Sequence, residues 1–163
     1  MIGNDVVDLA LARIESNWKR QGYLDKIFTP KEQLLISTAE NSDIMVWNLW
    51  SRKEAAYKIY NRATGIRGYF PLKLECTYEN RNIGSVLCNG YTYYTKTEII
   101  QDKIHTIAVT DKMDLNFVLE LGPTVKIIKK KGVPFLVEGK KNSLNLVSLS
   151  HHGRYSTMVR LKQ

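Results

Sequence analysis

Cysteine is scarce in this chain: Cys76 and Cys88 are the only two in 163 residues, too few for a disulfide scaffold or a cysteine metal cluster. Each lies in an apolar or alternating segment and reads as a reduced core thiol. Long hydrophobic runs are missing as well. No stretch approaches the roughly 20 apolar residues of a membrane span, and no basic segment followed by an apolar run opens the chain, so a cytoplasmic protein without membrane contact is expected. There is no internal repeat, low-complexity segment or clear linker. Negative charge is in deficit, with 16 Asp and Glu against 24 Lys and Arg and a formal net charge of +8.

A hydrophobic share of 44%, with nine Tyr and three Trp, supplies a real core and excludes disorder. A chain of 163 residues suits one domain that buries about two thirds of its unfolded surface. The positive excess clusters at Lys126, Lys129, Lys130 and Lys131 and at Lys140 and Lys141. Such a surface draws polyanions, whether nucleic acid, a phosphorylated cofactor or an acidic protein, and each cluster is equally readable as a solvated loop.

The pattern of residues predicts helices first and strands later. Met1 to Leu9 reads as a short strand ending in a carboxylate-bearing turn, with the strand formers Ile2, Val6 and Val7 flanking Gly3, Asn4 and Asp5, and a helix starts after Asp8 or in the following turns. Thr29-Pro30-Lys31-Glu32 is a capping box with proline at the first helical position, and it opens a helix expected to turn Leu34, Leu35 and Ile36 toward the core. Asn41 or Ser42 caps a longer helix that stops near Thr64-Gly65. On it Trp50, Glu54 and Lys58 recur every four residues and share one face. From Tyr69 the period becomes two, Asn89-Gly90 signals a hairpin, and strands are expected around 91–98, 103–110, 116–121, 133–137, 146–150 and 156–161. The predicted class is α+β: one domain, a mostly antiparallel sheet on one long and one or two short helices.

Three groups of residues carry candidate chemistry. Gly3-Asn4-Asp5 places a carboxylate just past a strand, and Asp8 follows three residues later; their bland reading is a turn residue and a helix cap. Trp50-Ser51-Arg52-Lys53-Glu54-Ala55-Ala56-Tyr57-Lys58 puts a carboxylate between lysines on an apolar helix, which suggests an anionic ligand with its metal, or else a surface ion pair between Glu54 and Lys58. Val147-Ser148-Leu149-Ser150-His151-His152-Gly153-Arg154 ends a strand in hydroxyls, imidazoles and a guanidinium, a plausible phosphate cradle. Neighbouring strand residues face opposite ways, so only one of His151 and His152 can serve a given ligand.

The ordered set Ile2-Gly3-Asn4-Asp5, Phe28-Thr29-Pro30-Lys31-Glu32, Trp50-Ser51-Arg52-Lys53-Glu54-Ala55 with Lys58, Thr64-Gly65-Ile66 and Ser148-Leu149-Ser150-His151 resembles the 4'-phosphopantetheinyl transferase superfamily. One copy of each motif, aspartate first and Ser-His last, is similar to the short holo-acyl-carrier-protein synthase type. The resemblance implies that fold, and transfer of phosphopantetheine from coenzyme A to a serine of an acidic apo acyl or peptidyl carrier protein, releasing 3',5'-ADP. It implies Mg²⁺ on Asp5 and Glu54, with water or Asp8 completing the shell. Glu54 and Lys58 would be catalytic; Lys53, Lys58, Ser148, Ser150, His151 and Arg154 would bind the coenzyme. A homo-oligomer is implied, a trimer favoured, and residues 79–130 read as a strand-rich insertion. Two alternatives stay open: a basic nucleic-acid-binding module, and a relative that binds coenzyme A without turnover.

Overall fold

In the computed structural model, which describes residues 1–138 and 143–162, the first strand β1 (Ile2–Asp8) is buried along its whole length, so Asp5 stands in mid-strand, paired with Thr106, and not in the turn expected at the strand's end. The Asp8 carboxylate accepts the free N–H groups of Ala10 and Leu11 and so starts α1 (Leu9–Glu15). A short α2 (Tyr23–Ile27), unmarked by any strong cap in the sequence, leads into α3 (Pro30–Thr38). The capping box at Thr29 and Glu32 forms as expected. Helix α3 turns Ile36 into the core and leaves Leu35 half-buried, but Leu34 points to solvent at 63% exposure, contrary to expectation. Helix α4 (Ser42–Thr64) starts on the Asn41 side chain and ends on Gly65 at φ 72°.

Behind α4 lies an antiparallel sheet of five strands in the order β1-β5-β4-β3-β2, made with β2 (Leu74–Tyr78), β3 (Ile83–Cys88), β4 (Tyr91–Ile100) and β5 (Lys103–Val109). Asn89 and Gly90, at φ 48° and 84°, make the tight turn between β3 and β4 that their sequence announced. Strands β3, β4 and β5 fill the middle of the sheet, so the first part of the 79–130 segment is scaffold and not an insertion. Packing of α4 on this sheet forms the main core, with Val46, Leu49, Ala55, Ala56 and Ile59 against Cys76, Val86, Tyr93 and Ile104. Both cysteines are free and buried there.

The rest of the chain adds two three-stranded antiparallel sheets. One has the order β10-β11-β6, from β6 (Val118–Glu120), β10 (Ser148–His152) and β11 (Tyr155–Leu161). The other runs β7-β8-β9, from β7 (Ile127–Lys130), β8 (Val133–Glu138) and β9 (Ser143–Leu146). Lys129 and Lys130 thus sit in a strand, with Lys131 in its turn, where a loop was one reading; Lys140 and Lys141 lie outside the described residues. A second small core of Ile2, Val109 and Val159 joins the five-stranded sheet to β11. Among the described residues no helix is long and apolar enough to cross a membrane.

Candidate active site

Glycine at position 3 brings β1 and α4 together. A Cβ there would overlap the carbonyl oxygen of Ala55, so only glycine permits this approach of helix to strand. The approach sets Asp5, from β1, and Glu54, from α4, in the wall of one cavity of about 150 Å³, floored by Val6, Val7, Trp47 and Trp50. Asp5 is almost wholly buried, and burial pushes its carboxyl above the usual range against the pull of Lys58 and Ser150. Glu54 is pushed up to about 7, first by burial and then by the charge of Asp5. Two carboxylates are therefore held close in a poorly solvated place.

The surroundings of the pair are built to hold it. Trp50 and Tyr57 meet the Tyr69 ring edge-on at centroid distances of 5.5 and 5.2 Å, which fixes the Tyr69 hydroxyl beside Glu54. Burial and the Glu54 charge hold that phenol far above its ordinary pKa. The buried hydroxyls of Tyr69 and of Ser51, the latter beside Asp5, have no hydrogen-bond partner at standard geometry. On the helix face predicted from sequence, Lys58 reaches across to β1: its Nζ donates to the Asn4 carbonyl at 2.7 Å and lies 3.4 Å from Asp5 Oδ1. The alternative reading of a surface ion pair between Glu54 and Lys58 gives way to a pair between Lys58 and Asp5.

Strand β10 serves the site with alternate faces. β1 pairs with β5 on one edge, and on the other its N–H groups at Asn4, Val6 and Asp8 go to Ser148 Oγ (2.9 Å), Ser150 Oγ (3.1 Å) and His152 Nδ1 (2.9 Å). Three side chains at period two thus replace a neighbouring strand. Ser148 is sealed in this role, and Ser150 also donates to Asp5 Oδ1 at 3.0 Å, so both position β1 and its carboxylate where phosphate contact was expected. His151 faces the other way and is exposed, and both it and His152 border the cavity of Asp5 and Glu54, where only one of the two was expected to serve a ligand.

Two further expected ligands are corrected. Lys53 is fully buried; its Nζ pairs with Glu32 at 2.6 Å and donates to the carbonyls of Ile27 and Pro71, so it tethers α4 to the loops and reaches no ligand. Arg154 grips the Asp8 carboxylate with Nε and Nη2 at 2.8 and 2.7 Å, and this holds Asp8 well below the usual carboxylate range. Asp8, tied to Arg154 and to the start of α1, has no lone pair to spare for a metal in the Asp5 cavity.

His151 also opens onto a larger cleft of about 640 Å³, lined by Lys58 and Leu149 at the near end and by Arg62, Arg67, Lys129 and Lys131 beyond. Among the described residues no group of three or more His, Cys, Asp and Glu is gathered for a metal. Asp5 and Glu54 nevertheless fit a hard cation: two oxygen donors with raised affinity for a proton, two unpartnered hydroxyls beside them, and open volume for water and phosphate oxygens.

Residues 1–110 match the model of the 4'-phosphopantetheinyl transferase superfamily. The chain belongs to that superfamily. Its fold is that of the holo-acyl-carrier-protein synthases: the Helicobacter pylori enzyme, solved in complex with coenzyme A, superposes with a TM-score of 0.54 at 15% identity, over 68% of this chain and 100% of its own. The Neisseria meningitidis synthase gives 0.52 at 18% identity, over 68% and 97%. That of Thermotoga maritima gives 0.53 at 14% identity, over 79% and 76%. No curated protein sequence matches the chain.

Three further residues reach the site without having been singled out in the sequence. Tyr69 lies just past the Thr64-Gly65-Ile66 motif, where its aromatic period with Tyr57 crosses a loop and leaves no regular spacing to detect. Arg62 and Arg67 flank the same motif, and only the cleft shows which way they point.

Proposed function

We propose that this superfamily member transfers 4'-phosphopantetheine from coenzyme A to a serine of an acidic apo carrier protein. The observation that carries the reading is the Asp5 and Glu54 pair, facing one cavity that shares His151 with a cationic cleft lined by Lys58. Mg²⁺ held by Asp5 and Glu54, with water in the other positions, would polarise the β-phosphate and offset charge on the departing group. Everything else is positioning and proton transfer by the chain itself. Lys58, anchored on the Asn4 carbonyl, presents its ammonium to the pyrophosphate at the mouth of the cleft. His151 supports the nucleotide phosphates from the opposite side.

The carrier serine oxygen bonds to the β-phosphorus, the phosphoanhydride bond to 3',5'-ADP breaks, and the serine proton passes to Glu54. Ser150 keeps Asp5 aligned by its hydrogen bond, and the Trp50, Tyr57 and Tyr69 rings keep bulk water from Glu54. The net charge of +8 favours an acidic partner, and docking weakens as salt rises. A homo-oligomer, a trimer by the resemblance, belongs to the same proposal, and light scattering on the 18.8 kDa chain tests it.

The deciding experiment mixes the protein with coenzyme A, Mg²⁺ and several apo carriers and follows the carrier mass. A gain of the phosphopantetheine mass on the carrier serine is expected. No gain on any acyl or peptidyl carrier, from a protein that still binds coenzyme A, would leave a binding relative without turnover.

A further inference from the structure

The two carboxylates of the site are held unequally. Asp5 accepts a hydrogen bond from Ser150 Oγ at 3.0 Å, pairs with Lys58 at 3.4 Å, and has the Ser51 hydroxyl beside it. Glu54 has no such tether among the described residues. Its cationic neighbour Lys58 directs Nζ at the carbonyls of Asn4 and Leu149 and at Asp5. The Tyr69 hydroxyl is what remains: among the described residues no other side chain offers Glu54 a hydrogen bond.

A stripe of α4 straps Tyr69 into that place. Lys53, Tyr57 and Asn61 follow one another at four-residue spacing, beside the stripe of Trp50, Glu54 and Lys58. Asn61 Nδ2 donates to the Ile66 carbonyl at 2.7 Å, the Tyr57 hydroxyl accepts the Gly68 N–H at 3.2 Å, and Lys53 Nζ donates to the Pro71 carbonyl at 2.8 Å. The segment after α4 is thus tied down on both sides of Tyr69, whose ring stands edge-on to Trp50 and Tyr57. Its oxygen is sealed from solvent without a partner at standard geometry. A phenol keeps its proton near neutral pH and can only donate to a carboxylate, and a buried donor left without an acceptor is costly.

We propose that Tyr69 is the positioning residue of Glu54: its hydroxyl donates to the Glu54 oxygen turned away from the divalent ion and so holds the other oxygen toward Asp5. This deepens the transfer reading and rests on that part of it in which Asp5 and Glu54 share a cation. Like charge drives a carboxylate on a long side chain away from a second carboxylate beside it. A donor fixed behind Glu54 opposes that drift, as outer hydrogen bonds orient metal ligands in general. Asp5 receives the same service from Ser150, so each oxygen donor of the pair has a hydroxyl of its own.

The variant Tyr69→Phe keeps the ring and its edge-on contacts and removes only the hydroxyl, so its melting temperature in EDTA should not fall. The probe is Mn²⁺, which takes the same oxygen ligands as Mg²⁺, titrated without coenzyme A and followed by the electron paramagnetic resonance of the free ion. Its affinity should be about ten- to a hundredfold weaker in the variant. In carrier modification the Mg²⁺ concentration for half-maximal rate should rise, and saturating Mg²⁺ should return the rate toward the parent's. Mn²⁺ affinity within about twofold of the parent's, or a parent that binds no Mn²⁺, overturns the assignment. Weaker binding together with a lower melting temperature marks a merely structural residue and overturns it too. Mn²⁺ binding that depends on Tyr69, in a protein that modifies no carrier, would uphold the positioning and sink the transfer reading; transfer with Mn²⁺ affinity indifferent to Tyr69 would do the reverse.

Discussion

Replacing Glu54 with glutamine should destroy transfer at any pH and stabilise the protein only above a certain one. The site moves the Glu54 carboxyl from its ordinary 4.5 to about 7, so keeping it ionised in the folded state costs roughly 3 kcal/mol at about 1.4 kcal/mol per pH unit. The side chain is partly open to its cavity, and solvent screening reduces this to about 1–2 kcal/mol. The folded protein binds this proton more tightly than the unfolded chain does. The contribution favouring the fold is therefore complete below about 4.5 and is lost as pH rises through about 7. Glutamine has no proton to lose and keeps nearly the same shape. Thermal unfolding in EDTA should show parent and Glu54→Gln melting together near pH 5, and the variant about 3–6 °C higher near pH 8.5. Carrier modification by the variant should be absent at both. A variant that melts lower near pH 8.5, or that modifies carriers at the parent's rate, refutes the strained carboxylate pair.

Other perturbations separate scaffold from site. Lys53→Ala leaves Glu32 buried without its cation and should destabilise by about 3–5 kcal/mol in denaturant titrations, with coenzyme A affinity of the folded fraction unchanged; a mild loss of stability with weakened binding would return Lys53 to the ligand site. Gly3→Ala forces β1 away from the Ala55 carbonyl, so both stability and transfer should fall together by circular dichroism and mass-shift assay; a fully active, stable variant would mean that the close approach is dispensable. His151→Ala, exposed and without a structural hydrogen bond among the described residues, should keep its melting temperature and raise the KM for coenzyme A more than for dephospho-coenzyme A. Equal changes in the two would remove His151 from the 3'-phosphate.

Local rules were readable directly from the chain. The Thr29–Glu32 capping box, the Asn89-Gly90 turn and the Gly65 helix stop depend on a few neighbouring residues, and all appear where their residues stand. Helical spacing also put Trp50, Glu54 and Lys58 on one side of α4, and a residue offset by one position, Lys53, falls on another face into the core. Periodicity therefore held the reason for excluding Lys53, although the motif that contains it suggested a ligand.

What the sequence determined by itself was the set of elements, their caps, and which residues share a face, because these follow from backbone geometry over one or two turns. Which face of β10 meets β1, where Arg154 finds its carboxylate, and which lysines line the cleft were decided only in the tertiary structure. The contacts of β10 and Arg154 join residues more than a hundred positions apart, and nothing local favours Ser150 over His151 as the one that turns inward. The choice is made by the unpaired edge of β1, whose N–H groups need partners once burial removes water.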